Sequence, residues 1–208
     1  MTKLNLKILT RVTRPNNLLK IRSSIFDSVP TGIEVDWFII FDTAKVESIS
    51  AKMLDSITCK NTRLYFTECG DWSCQYQKIN EMMSSGCIGE GYVHLIDDDN
   101  ILHPNFYESV LGAWYENQSA GGFIVSQKVD GKDFTGLDIR VASPNNIKVG
   151  GIDLAQYIFR SDIPSKYGVE FGTGYCGDGD FIVDLFERGA ESEFIFIDQV
   201  LCYYNYLA

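Results

Sequence analysis

At 208 residues, with 45% of them apolar and 22% charged, the chain has enough hydrophobic surface to offset its conformational entropy. That excludes disorder as the overall state and argues for one large domain, 1–208, over two. The 18 Lys and Arg against 28 Asp and Glu leave −10 at pH 7, which argues against a nucleic-acid partner, whose backbone needs a basic surface. No apolar run approaches the ~18 residues of a membrane span, and the opening "MTKLNLKILTRVTRPNN" lacks the apolar core and cleavage site of a secretory signal. A cytoplasmic chain is expected, with the six cysteines (Cys59, Cys69, Cys74, Cys87, Cys176, Cys202) reduced, since none form a CxxC pair.

In chain order, "LNLKILTRV" is a β-rich run, and "PNNLLKIRSSIFDS" follows with Pro15 near a helix start and apolar residues at roughly helical spacing. "EVDWFIIFD" reads as a buried strand, "AKVESISAKMLDSI" as an amphipathic helix, "TRLYFTEC" as a strand, and "CQYQKINEMMSSG" as a helix stopped by Gly86. "GYVHLI" is a fourth strand running straight into Asp97, Asp98, Asp99 and Asn100. This β-α-β-α-β-α-β order predicts an α/β fold whose first half, 1–100, is a mostly parallel sheet with helices on both faces. In the second half, 101–208, "HPNFYESVLGAWYEN" and "GDGDFIVDLFERG" read as helices and "EFIFIDQVLCYYNY" as a last strand. The stretch between the two helices is turn-punctuated and β-like, with hairpins expected around Asp130-Gly131 and Asn145-Asn146. A mixed, β-rich second half is expected.

Ligands of open α/β sheets bind beyond the carboxyl ends of the parallel strands. Those ends carry Thr10 to Arg14, then Asp42, then Glu68 to Trp72, then the acidic run. Three adjacent carboxylates repel one another, and a hard cation such as Mg²⁺ or Mn²⁺, shared with substrate phosphates, would relieve them; a solvated turn ending the strand is the plainer alternative. Asp178 and Asp180, between glycines before an apolar helix, suit either a proton acceptor or a helix cap. His94, inside an apolar strand, reads as a packed core residue. Trp72 and Tyr157 could stack on a sugar ring, or simply pack.

From "ILTRVTRPNNLLKIRSSI" through "WFIIFD", "QKIN", "HLIDDDN" and "GGIDLAQYIFR" to "GDGDFIVDLFERG", the chain resembles GT-A fold glycosyltransferases, most closely the inverting family 2 pattern, with local echoes of the glucuronyltransferases. The resemblance implies a DxD motif in which Asp99 ligates the metal, with Asp97 as a second ligand, and Asp97 and Asp98 lie near the ribose and sugar. It implies further donor contacts from Asp42 and from Lys78 to Asn80; Thr10, Arg11 and Arg14, at the end of the first strand, are expected on the donor side as well, and Trp72, Tyr157 and Asp180 on the acceptor side. In the family the catalytic base is an Asp eleven residues before the glycine that ends the helix, which is Asp178 before Gly189 here. The chain departs from the pattern in "Lys78-Ile79-Asn80" for the usual Arg-Asn, in Gly177 where Glu often stands, and in having no His after His103.

The expected function is transfer of a sugar from a nucleotide-diphosphate donor, a UDP-sugar, to a hydroxyl of a glycan or glycoprotein, metal-dependent and with inversion. The alternatives are a sugar-phosphate nucleotidyltransferase, which would want a Gly-rich loop where "TRVTRPNN" has none, and a non-catalytic nucleotide- or carbohydrate-binding module.

Overall fold

A computed structural model describes residues 3–46, 49–68, 70, 72–129, 136, 138–174 and 176–207, the side chains of residues 72–74 excepted. Four parallel strands, β1 (Leu4–Val12), β2 (Ile33–Asp42), β3 (Thr62–Thr67) and β4 (Tyr92–Asp97), lie in the order β3-β2-β1-β4. They are connected by α1 (Leu18–Phe26), α2 (Ala51–Ile57) and α3 (Trp72–Ser84). Pro15 opens a 3-10 turn that leads into α1, and Gly86, in the left-handed region at φ 71°, closes the turn after α3.

The same sheet continues into the second half. It takes in β5 (Ile101–Leu102), β6 (Gly122–Val129), β7 (Ile139–Arg140), β8 (Tyr157–Arg160) and β9 (Phe194–Tyr204), with β8 antiparallel to β4 and to β6 and β9 parallel to β6. The remaining helices are α4 (Phe106–Glu116), α5 (Ile163–Tyr167) and α6 (Gly177–Glu187).

Alternation along β1 decides what reaches the site. Leu4, Leu6, Ile8 and Val12 pack with Ile21 and Ile25 of α1 and Val110 and Trp114 of α4. Leu9 instead packs with Tyr76 and Ile79 of α3 and Phe181 and Leu185 of α6. Arg11 shares the face of Leu9, and Thr10 shares the other. His94 is core: fully buried, hydrogen-bonded through Nε2 to Ala155 O at 2.9 Å and stacked on Phe106 at 5.0 Å.

Three expectations change. The helix expected over 44–57 is, among the described residues, only Ala51–Ile57, begun by Ser50, whose hydroxyl accepts the Met53 N–H. Asn145-Asn146 makes no hairpin; Pro144–Asn146 is a 3-10 turn whose cap, Ser143, accepts the Asn145 N–H, because proline cannot donate to a ladder. The five-residue α5, Ile163–Tyr167, ended by Gly168 in the left-handed region, is too short for periodicity to reveal. The Asp130-Gly131 hairpin lies outside the described residues.

Candidate active site

Parallel pairing of β1 with β4 puts Arg11 in register with Asp97. The Asp97 carboxylate accepts from Arg11 Nε and Nη2, both at 2.7 Å. Burial opposes the guanidinium charge, but Asp97 beside it holds Arg11 well above its ordinary pKa, and the ring of Tyr76 lies 4.5 Å from its centre. Asp98 turns back toward the β1–α1 loop and accepts the N–H groups of Thr13 and Arg14, each at 2.5 Å. Asp99 pairs with Arg14 Nη1 at 2.6 Å; its pKa is raised by burial and then by Asp97, against the pull of Arg14. Each member of the acidic run thus has its own partner, which is how three adjacent carboxylates are tolerated.

Arg11, Arg14, Asp97 and Asp99 form one side of a cavity of about 260 Å³. Arg140 and Asp153 line it from the β-rich half, Cys176 and Asp178 from the start of α6, and Tyr204 and Asn205 from the end of β9. Asp178 sits in the first turn of α6, where the Tyr157 hydroxyl donates to its backbone carbonyl at 3.0 Å. Burial raises the Asp178 pKa; the Gly179 N–H and Arg11 pull it down, and Asp97 pushes it up again. A carboxylate with strengthened proton affinity facing a polar cavity is suited to accept a proton. Gly177 is required here, since a Cβ would lie 2.5 Å from Gly172 O and 3.0 Å from the Tyr76 ring. That contact gives the physical reason why no Glu precedes Asp178.

Asp153 is pushed up to about 7 by burial, then by the Asp178 charge, with Arg140 opposing. A folded pKa above the unfolded value means that the folded state holds the extra proton, so this contribution to stability is lost as pH rises from about 4 to about 7. His94, lowered to about 4 by burial, acts with the opposite sign over the same window. The Asp153→Asn variant is therefore expected to gain stability relative to wild type as pH is raised from 5 to 8, measured by denaturant titration at each pH. A difference that does not change with pH would refute the assignment.

Among the described residues, no group of three or more His, Cys, Asp or Glu side chains is disposed to hold a metal ion by itself. The lining does fit a hard cation that takes only one or two protein carboxylates and completes its shell with phosphate oxygens. Asp99 keeps one carboxylate oxygen outside its pair with Arg14, whereas both oxygens of Asp97 accept from Arg11.

No protein-family model and no curated protein sequence matches the chain. Solved structures do. A 1–349 form of S. aureus TarS superposes with a TM-score of 0.74 at 11% identity, covering 97% of this chain and 60% of that one. The same form in complex with UDP-GlcNAc gives 0.69 at 11% identity over 96% and 58%, and in complex with UDP 0.67 at 12% identity over 96% and 60%. The chain has the GT-A-like fold of TarS. It spans about 60% of the TarS 1-349 chain.

Within the TarS fold, the structure brings together Arg11, Arg14, Asp97, Asp99 and Asp178 of the residues the sequence pointed to, with Asp98 directly behind them. Others lie elsewhere. Thr10 is fully buried on the opposite face of β1, where its hydroxyl accepts from Trp37 Nε1 at 2.9 Å. Lys78 pairs with Glu81 along the outside of α3, and Asn80 clamps the Phe171 backbone through both amide atoms. Tyr157 is fully buried and stacks on Phe181, so it supports α6 and presents no face to a sugar. Asp180 is exposed in the same first turn of α6 and does not line the cavity. Neither Asp178 nor Asp180 is a cap, because Cys176 holds that position. The side chain of Trp72 lies outside the described residues.

Asp42 is fully buried at the end of β2, and its carboxylate accepts the N–H groups of Ala44 at 3.1 Å and Gly70 at 3.2 Å. It fastens the loop after β3 and does not line the cavity. Asp42→Ala leaves those donors unpaired, and with hydrogen bonds to charged groups worth about 1.5–3 kcal/mol each, a loss near 3 kcal/mol is expected by denaturant unfolding. An unchanged midpoint would count against this role.

Proposed function

We propose that the chain is a metal-dependent, inverting glycosyltransferase that takes its sugar from a UDP-sugar and passes it to a glycan hydroxyl. The observation that carries this reading is the cavity at the carboxyl ends of β1 and β4, where Asp99 and Asp178 face one space in the fold of a protein that binds UDP-GlcNAc. When bound, a divalent cation, Mn²⁺ or Mg²⁺, would supply positive charge against the leaving diphosphate, held by Asp99 with Asp97 next to it.

The protein's own residues do the rest. Arg14, about half exposed at the cavity rim, is placed to add charge against the diphosphate. Arg11 keeps Asp97 fixed and draws on the Asp178 charge from below. Asp178 takes the proton of the attacking hydroxyl, a contribution of roughly 10²–10⁴-fold. With Asp178 activating the acceptor hydroxyl for direct attack opposite the leaving diphosphate, and no enzyme-bound sugar intermediate, the anomeric configuration inverts. The Thr13 and Arg14 amides, which a nucleotidyltransferase would offer to phosphates, are taken by Asp98.

The test is release of UDP from UDP-sugars with and without Mn²⁺ and a panel of glycan acceptors, with the product anomer read by NMR. Mn²⁺-dependent UDP release into an inverted product supports the reading. Binding without any release would make the chain a binding module, and a retained anomer would remove the single-base mechanism.

A further inference from the structure

Asp153 is 6% exposed and lines the cavity, yet nothing in the reaction above uses it. Its Oδ1 accepts three hydrogen bonds, from Gln127 Nε2 at 2.9 Å, Ala155 N at 3.1 Å and Asn100 Nδ2 at 3.4 Å. The other oxygen, Oδ2, accepts none among the described residues and stands 3.7 Å from Arg140 Nη1. The carboxylate cannot swing to share the load. Gln127 is itself fixed by Arg140 Nη1 at 2.9 Å, and the Asp153 backbone N–H is held by Gln156 Oε1 at 3.1 Å. The Arg140 guanidinium lies 4.5 Å from the centre of the Tyr204 ring.

In a residue that lines the cavity, a carboxylate oxygen that accepts no hydrogen bond from the described residues is available to a donor on a ligand. A diphosphate cannot supply one, since when ionised it offers acceptor oxygens and no donor. A sugar hydroxyl can, since it donates to a carboxylate and accepts from a guanidinium at once, which suits an acid and a base 3.7 Å apart. The place is right for a sugar ring, because Asp153 shares one cavity with Asp99, at the diphosphate end, and with Asp178, at the attacking end.

We propose that Asp153, with Arg140 beside it, is the subsite that reads the ring hydroxyls of the donor sugar and sets which donor is used. This rests on the glycosyl-transfer reading and narrows it. A site built to pair a hydroxyl rejects the analogue that lacks it far more strongly than an apolar pocket rejects a methylene. Asp153 also caps the turn at Leu154–Gln156, a position that Asn and Ser fill nearly as well, so both substitutions are expected to fold.

The experiment measures kcat/KM for UDP-glucose, UDP-galactose, UDP-GlcNAc and the 3-, 4- and 6-deoxy UDP-glucoses, together with the Kd of UDP alone, in wild type, Asp153→Asn and Asp153→Ser. Wild type is expected to reject at least one deoxy donor by roughly 10²-fold or more, and each variant to lose that discrimination while binding UDP as wild type does. Discrimination retained in both folded variants, or UDP affinity lost in step with the sugar nucleotides, overturns the subsite and leaves glycosyl transfer standing. Wild type that turns over the intact and deoxy donors alike does the same. Failure of wild type to bind any UDP-sugar overturns both.

Discussion

Asp178→Asn is expected to bind UDP and UDP-sugar as wild type does and to lose transfer by roughly 10²-fold or more. The substitution keeps the shape of the side chain and removes only its ability to take a proton. The fold gives no second route to a loss, because Cys176, not Asp178, occupies the cap position of α6. Removing a first-turn charge forfeits about 0.3–1 kcal/mol of favourable helix-dipole interaction, which the relief of a buried carboxylate offsets. Asp180→Asn is the matched control, exposed in the same turn and expected to be fully active. An active Asp178→Asn, or an inactive Asp180→Asn, sinks the assignment of the base.

Asp99→Ala should abolish the dependence of UDP-sugar binding on Mn²⁺ and bring affinity down to the level wild type shows in EDTA. Asp99 carries the raised proton affinity of a buried carboxylate beside another acid, so its loss relieves repulsion and the variant stays folded. Arg14 keeps its contact to Asp98 at 3.3 Å. Isothermal titration with UDP-GlcNAc, with and without metal, gives the answer. Wild-type affinity indifferent to EDTA, or a variant that still responds to Mn²⁺, would remove Asp99 from metal binding.

The parallel half was legible because its signals are local: buried strands each ending in polar residues, separated by helical spacing, leave one economical topology. The acidic run was legible because the strand before it has no polar residue but His94. What the sequence did not disclose was direction. Thr10 and Arg11 are neighbours at a strand end, and only the side of the sheet on which α3 and α6 pack decides that Arg11 reaches the cavity and Thr10 meets Trp37. Asp42 has the composition of a ligand-binding residue, yet its acceptors are used by loop amides, a long-range fact with no trace in spacing. Arg140 and Asp153 lie in short segments that carry no periodicity, and Tyr204 ends the readable strand β9, whose pattern does not tell that its end meets the cavity. The one available signal for Asp153 was an acid inside the otherwise apolar "GGIDLAQYIF".

The acidic turn after β4 is assembled from both ends of the sequence. Asp98 is held by Thr13 and Arg14, 85 and 84 residues away, while Asn205 N donates to Asn100 Oδ1 across 105 residues and Leu207 N to Asp99 O. These separations match that of the β1–β4 pairing itself, Leu6 with Tyr92, so the turn depends on long-range closure while the helices depend on local contacts alone. The site is therefore expected to be completed after the helices during folding. A refolding chain should recover its helical signal before it recovers any affinity for nucleotide, and a binding-competent cavity reports that β9 has docked.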